Sequence, residues 1–211
     1  MSILGSLIFA IGSICFLYVF WNKLKEDYLP STIFSVGFFV LIGVLTFFLS
    51  FNFLILPRVS LPQTVSPAGV IFWISLLGGL VGYSIGLVKF KIRFFESLEA
   101  YLAGGLYLIL AVFVADAFVY LSVISLIAGT VTALLIILFY FLETRYRYFT
   151  WYKSGKVGFS GLLTSGLFFL IRSIVSLFYP FVLSFLGRSE SVVSGMVAFL
   201  LFLAVYNLSQ Q

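Results

Sequence analysis

Between Glu99 and Glu143 lie forty-three residues, Ala100 to Leu142, that carry one formal charge, Asp116. A helix rises about 1.5 Å per residue and a hydrocarbon core is about 30 Å thick, so roughly 20 apolar residues make one crossing. The stretch therefore predicts two crossings joined by a turn near Asp116. A single helix of that length would be about twice as long as the bilayer core is thick. The same pattern continues through the chain: of 211 residues 63% are apolar and 9% charged, with mean hydropathy +1.22. An ordinary soluble domain is about 25% charged. The fold class that follows is all-α, a polytopic membrane helix bundle forming one transmembrane domain over residues 1–211.

Seven spans are predicted. The first covers Ser2 to Trp21 and stops at the polar segment NKLKEDYLP, 22–30. The second, Thr32 to Leu56, starts after Pro30, with Ser31 and Thr32 as capping residues. Prolines at 57, 62 and 67 then prevent a continuous helix before the third span, Ala68 to Val88. Leu98 to Asp116 and Ser122 to Leu142 form the hairpin. Val157 to Tyr179 and Ser191 to Leu208 complete the set. No basic residue precedes the apolar run of Met1 to Phe20, and Ile14 stands before Cys15 where a lipoprotein signal would place a small residue, so the first span is read as retained.

The loops assign sides. Lys23, Lys25, Lys89, Lys91, Arg93, Arg145, Arg147, Lys153 and Lys156 fall on one side of the membrane, nine Lys and Arg in all, whereas Arg58 and Arg188 make two on the other. The positive-inside rule then places the N-terminus outside and the C-terminus inside a cytoplasmic (inner) membrane. The segment ETRYRYFTWYKSGK, Glu143 to Lys156, mixes four basic residues with Tyr and Trp and reads as an interfacial stretch against headgroups.

Several chemistries are excluded by residue type. With no histidine there is no imidazole base or ligand, and a lone Cys15 makes neither a disulfide nor a thiolate metal site. No cofactor or metal is implied. The net charge of +5 comes from helix-end residues, which suits topology rather than nucleic acid. Glu96 and Glu99, one turn apart, sit where a helix start favours acids. Two ionisable residues remain inside spans, Asp116 and Arg172, each costing roughly 2.5 to 3.5 kcal/mol at a helix centre. Both fall in the outer half of the membrane and could form an ion pair. Alternatively, Arg172 snorkels to the headgroups, or it holds an anionic headgroup that Asp116 orients. Trp73, also on the outer side, reads as an interfacial anchor or a third lipid-binding residue. Gly78, Gly82 and Gly86 form a smooth stripe suited to helix packing, or to a lipid tail lying in the groove. Asn52, Thr46, Ser84, Thr130 and Thr132 are expected to bond between helices.

Three stretches resemble prolipoprotein diacylglyceryl transferase, a seven-span bacterial family that moves diacylglyceryl from phosphatidylglycerol to a lipoprotein cysteine. WISLLGGLVGYSIGLVKFKIRFFESLEAYLA, Trp73 to Ala103, is similar to the family's glycine-rich third span, basic turn and following helix. GTVTALLIILFYFLETRYRYFTWYKSGKVGFSGLL, Gly129 to Leu163, and GLFFLIRSIVSLF, Gly166 to Phe178, are similar to its late helices. About half of the chain is covered. The resemblance implies a phospholipid-binding bundle with a phosphatidylglycerol-like partner and, in an active enzyme, a lipoprotein precursor as well. Where the family has G-R-x-G-N-F-x-N-x-E, this chain reads AVFVADAF, Ala111 to Phe118, with Asp116 near the place of the first Asn. Phe169 stands at the Arg position of the family's later G-x-x-R-F motif, with Arg172 three residues on. These departures imply a shortened form impaired in transfer. The alternatives from other classes are a small transporter or channel component and a non-catalytic structural subunit.

Overall fold

A computed structural model of the chain describes residues 3–58, 62, 65–145, 158–180 and 184–210. These form seven helices, α1 (Ile3–Leu24), α2 (Pro30–Leu49), α3 (Pro67–Phe90), α4 (Phe94–Tyr120), α5 (Val123–Arg145), α6 (Phe159–Phe178) and α7 (Glu190–Gln210). α2 runs on as a π-helical segment, Ser50–Ile55. All seven are long and apolar enough to cross a membrane. Among the described residues there is no strand. Of the segment Glu143 to Lys156, Glu143 to Arg145 extend α5, and 146–156 lie outside the described residues.

Several of the helices, α1, α3, α5 and α7 among them, are longer than the apolar runs because their ends take in further residues, whereas α6 is shorter than the run Val157 to Tyr179. Pro30 and Pro67 occupy the first turns of α2 and α3, where a missing N–H costs nothing. α4 begins four residues before Leu98 and continues four beyond Asp116, so Asp116 lies within the helix rather than at its end. Lys91 and Leu121, with φ of 53° and 50°, end α3 and α4 in the left-handed region. That conformation lets a two-residue link, Leu121 and Ser122, reverse the chain into α5.

α4 is the central helix, packed against α1, α5 and α6, while α2 pairs with α3 and α6 with α7. One core cluster joins Phe16 and Phe20 of α1 to Ile33, Val36 and Val40 of α2, Tyr83 of α3 and Tyr101 of α4. A second joins Leu106 and Phe113 of α4 to Leu135, Ile136, Phe168, Phe169 and Ala198 from α5, α6 and α7. Large apolar side chains also cover the outside, among them Ile14, Phe118, Ile137 and Phe199. That distribution suits a lipid solvent, against which apolar surface needs no burial. Consecutive spans alternate in direction, so the bundle has two distinct ends. The basic end gathers the α1–α2, α3–α4 and α5–α6 connections. The opposite end, called here the Arg58 end, gathers the others.

Candidate functional site

At the Arg58 end a polar cluster is closed inside the bundle. Glu190, the first residue of α7, is fully buried, and Arg172 of α6 is 4% exposed. The Arg172 Nη2 lies 2.7 Å and Nε 3.0 Å from Glu190 Oε1, while Nη1 donates to the Ser184 hydroxyl and Nη2 to the Ser184 carbonyl. Four of the five guanidinium N–H groups are thereby used. The ring of Phe72 lies 4.1 Å from the guanidinium carbon and that of Phe185 4.8 Å, adding cation–π contact on the remaining surface.

Glu190 is held as completely as its partner. Oε2 accepts from the Trp73 indole N–H and the Leu186 backbone N–H, each at 3.0 Å, and Oε1 accepts from the Ser194 hydroxyl at 2.5 Å. The start of α7 adds its positive helix-dipole end. Gly187, at φ 89°, allows the turn that brings the Leu186 N–H to the carboxylate. Gly69 of α3 lets the Phe185–Leu186 backbone approach so closely that an added Cβ would lie 2.3 Å from the Phe185 carbonyl oxygen. Trp73 stacks on Phe169 with ring centroids 5.6 Å apart.

The cluster corrects one expectation. Arg172 pairs with Glu190 rather than with Asp116, because α6 and α7 pack side by side and α7 presents a carboxylate at the level of Arg172. Asp116 instead faces α5, where it accepts a hydrogen bond from the Ser125 hydroxyl across the hairpin turn. Trp73 and Arg172 are thus brought together through Glu190, and Asp116 belongs to a different place. Glu190 was missed because, in sequence, it stands among Pro180, Gly187 and Arg188, where an acid reads as a loop residue. A helix-start acid following a glycine turn was the available signal.

Gly78 and Gly82 are covered by α2. An added Cβ at Gly82 would lie 2.1 Å from the Phe39 carbonyl oxygen, and at Gly78 2.5 Å from that of Gly43; Gly86 faces Val36. The stripe is a packing surface with no room for a lipid tail. The expected interhelical hydroxyl bonds take another form: Ser84, Thr130 and Thr132 each donate to the carbonyl four residues back in their own helix.

A second polar cluster, also missed, lies at the basic end. Glu99 of α4 accepts from the Gly158 N–H at 2.8 Å and from the Ser160 hydroxyl, fixing the start of α6. Lys23 of α1 lies 3.7 Å from Glu99 and 2.5 Å from Glu143 of α5. Four helices are tied at this point. The (i, i+3) pair Glu96 and Glu99 had suggested only dipole compensation; Glu96 does stay near the surface, 3.1 Å from Arg93.

Two hollows open on the lipid-facing surface away from Trp73 and Arg172. One, a groove of about 230 Å³, runs between α4 and α5 and is lined by residues including Leu110, Val114, Phe118, Ser125, Leu126 and Ala133. The other is a shallow, open depression on the outer face of α3 alone, near the basic end, beside Ser84, Ile85, Val88 and Lys89. Comparison of the chain with protein-family models, with curated proteins and with solved structures finds no match. The seven apolar helices make this an integral, multi-pass membrane protein.

Proposed function

We propose that the protein binds a phospholipid in the α4–α5 groove and does not transfer its diacylglyceryl group. The reading rests on one observation: an apolar groove, open to lipid, ends at Ser125, whose hydroxyl is held by the Asp116 carboxylate. Asp116 is not part of the groove's lining but stands one hydrogen bond behind Ser125, where its carboxylate suits a headgroup that donates hydrogen bonds, such as the glycerol hydroxyls of phosphatidylglycerol. This keeps the partner implied by the resemblance to the diacylglyceryl transferases but moves it away from Arg172. Phosphoryl or acyl chemistry needs a charge-stabilising donor on the open site. The guanidinium of Arg172 is instead spent on Glu190 and Ser184. In this reading the protein lies in a cytoplasmic membrane with its N-terminus outside, and a lipoprotein precursor is not consumed.

Native mass spectrometry of the detergent-solubilised protein with phosphatidylglycerol and phosphatidylcholine tests the proposal. Asp116→Asn should reduce phosphatidylglycerol retention about tenfold, the scale of a charge-assisted hydrogen bond. Ala133→Leu, which fills the groove, should reduce retention of both lipids. Wild-type retention unaffected by Ala133→Leu would refute the site. Growth rescue of a diacylglyceryl-transferase-depleted strain would refute the absence of transfer.

The closed Arg172–Glu190 cluster favours a second reading, a structural subunit with no ligand. A transporter would need a polar path, whereas the buried charges gather in two separate, internally satisfied clusters at opposite ends.

A further inference from the structure

We propose that the Tyr107–Tyr140 pair closes the far end of the α4–α5 groove and makes the site select acyl chains that bend, holding a cis-unsaturated chain in preference to a straight one. The inference rests on the lipid reading given above and adds what sets the chain. Leu110, Val114 and Phe118 line the groove and share one face of α4 with Tyr107, at spacings of three, seven and eleven residues from it. On α5, the lining residue Ala133 and Tyr140 stand seven residues apart, two turns along the same face. The lining stops at Leu110 and Ala133, and the next residue on its line in α4 is Tyr107.

Two contacts make Tyr107 a fixed obstacle. It packs against the cluster of Val19 from α1, Ala103 from its own helix and Phe139 from α5, which seats it in the notch between α1 and α5. Its hydroxyl lies 3.1 Å from that of Tyr140, so side chains of two helices are joined across the seam on the lipid-facing side. Lipid tails offer this bond no competing donor or acceptor. Side chains lean toward the N-terminus of their helix, so Tyr140 reaches back toward the groove and Tyr107 away from it, and the two meet between their own levels. Those levels are about 14 Å from Asp116 along α4 and about 22 Å from Ser125 along α5. One monolayer is roughly 20 to 22 Å deep with its headgroups. A straight chain hanging from a headgroup at Ser125 therefore runs into the pair before its end. A cis double bond turns the chain out of the seam into open lipid, whereas a straight chain must rotate several bonds out of the extended form to do the same. Tyrosines that only anchored or braced the helices would leave chain shape without effect on binding.

The probes are dioleoyl and dielaidoyl phosphatidylglycerol, which share headgroup, chain length and composition and differ only in a cis or trans double bond. One is deuterated, so that native mass spectrometry of the full chain separates them. Wild type should retain the cis lipid about threefold over the trans, the scale of fixing one flexible segment. Tyr107→Leu, which opens the seam, should bring the ratio to about one. Tyr140→Phe keeps both rings and removes only the tie, and it should lower the ratio part of the way. Tyr120→Phe alters an exposed tyrosine of α4 away from the pair and should leave the ratio unchanged. Equal retention of the two isomers, still reduced by Ala133→Leu, overturns this inference and leaves the groove standing; retention that Ala133→Leu does not reduce overturns both. A ratio that neither Tyr107→Leu nor Tyr140→Phe lowers, or that Tyr120→Phe lowers equally, also overturns it.

Discussion

Arg172 and Glu190 each bury a charge that is costly in a membrane, and each is tolerated because the other is there. The two are not equivalent. Without Arg172, Glu190 would still accept from Trp73, Leu186 and Ser194 at the start of a helix. With Gln at 190 only one oxygen can accept, so the bonds from Trp73 and Leu186 can be kept while the amide NH2 faces Arg172, which keeps an uncompensated charge among Phe72, Phe168 and Phe185. Glu190→Gln should therefore destabilise more than Arg172→Leu, each within about 3–5 kcal/mol. The double variant should lose about 1–3 kcal/mol less than the sum of the two single losses. Thermal melting in detergent measures all three; losses that simply add would refute the pairing. In sequence, Arg172 and Trp73 stood out because a charge and an indole within apolar runs are conspicuous. Their link was not readable, since it runs through Glu190 and depends on α7 lying beside α6.

The α2–α3 pair shows how one residue type acts in opposite ways at two positions. At Gly82 an added Cβ meets Phe39 backbone atoms at 2.1 and 2.8 Å, whereas at Gly105 it meets nothing within 4 Å. Backbone cannot rotate aside as a side chain can, so Gly82→Ala must push α2 and α3 apart and destabilise the bundle by about 1–3 kcal/mol. Gly105→Ala should instead stabilise α4 by up to about 1 kcal/mol, the helix propensity that glycine lacks. Equal shifts in melting temperature for the two variants would contradict this packing. The seven helices were legible from the length of the apolar runs, and the stripe Gly78, Gly82, Gly86 from its four-residue spacing. Its partner was not, because α2 has two glycines six residues apart, of which Gly37 faces α1, and Gly43 complements the stripe only once the helices meet. The ends of α4 were misplaced by four residues at each side: Glu96 marked the helix start but the boundary was drawn at the apolar run after it, and Ala117 to Tyr120 carry no signal that separates a helix from its flank.

Across the whole molecule, polar clusters near the two ends hold an apolar middle, and the two ends differ in charge. Lys23, Glu99, Glu143 and the start of α6 meet at the basic end; Trp73, Arg172 and Glu190 meet at the other. This arrangement fixes the spans as alternating but is symmetric with respect to which end faces the cytoplasm. Only the loop charges distinguish the sides, nine Lys and Arg against two, and they favour the basic end inside. Cys15 is the single cysteine, so Cys15→Ser gives a thiol-free background for mapping. In that background Ser122→Cys, in the α4–α5 turn, should react with a membrane-impermeant maleimide on intact cells. Lys25→Cys, in the α1–α2 connection, should react only after permeabilisation. The reverse pattern would place Asp116 and its groove in the cytoplasmic leaflet and Lys89 in the outer one. The labelling pattern therefore also determines which leaflet's lipids can reach the α4–α5 groove.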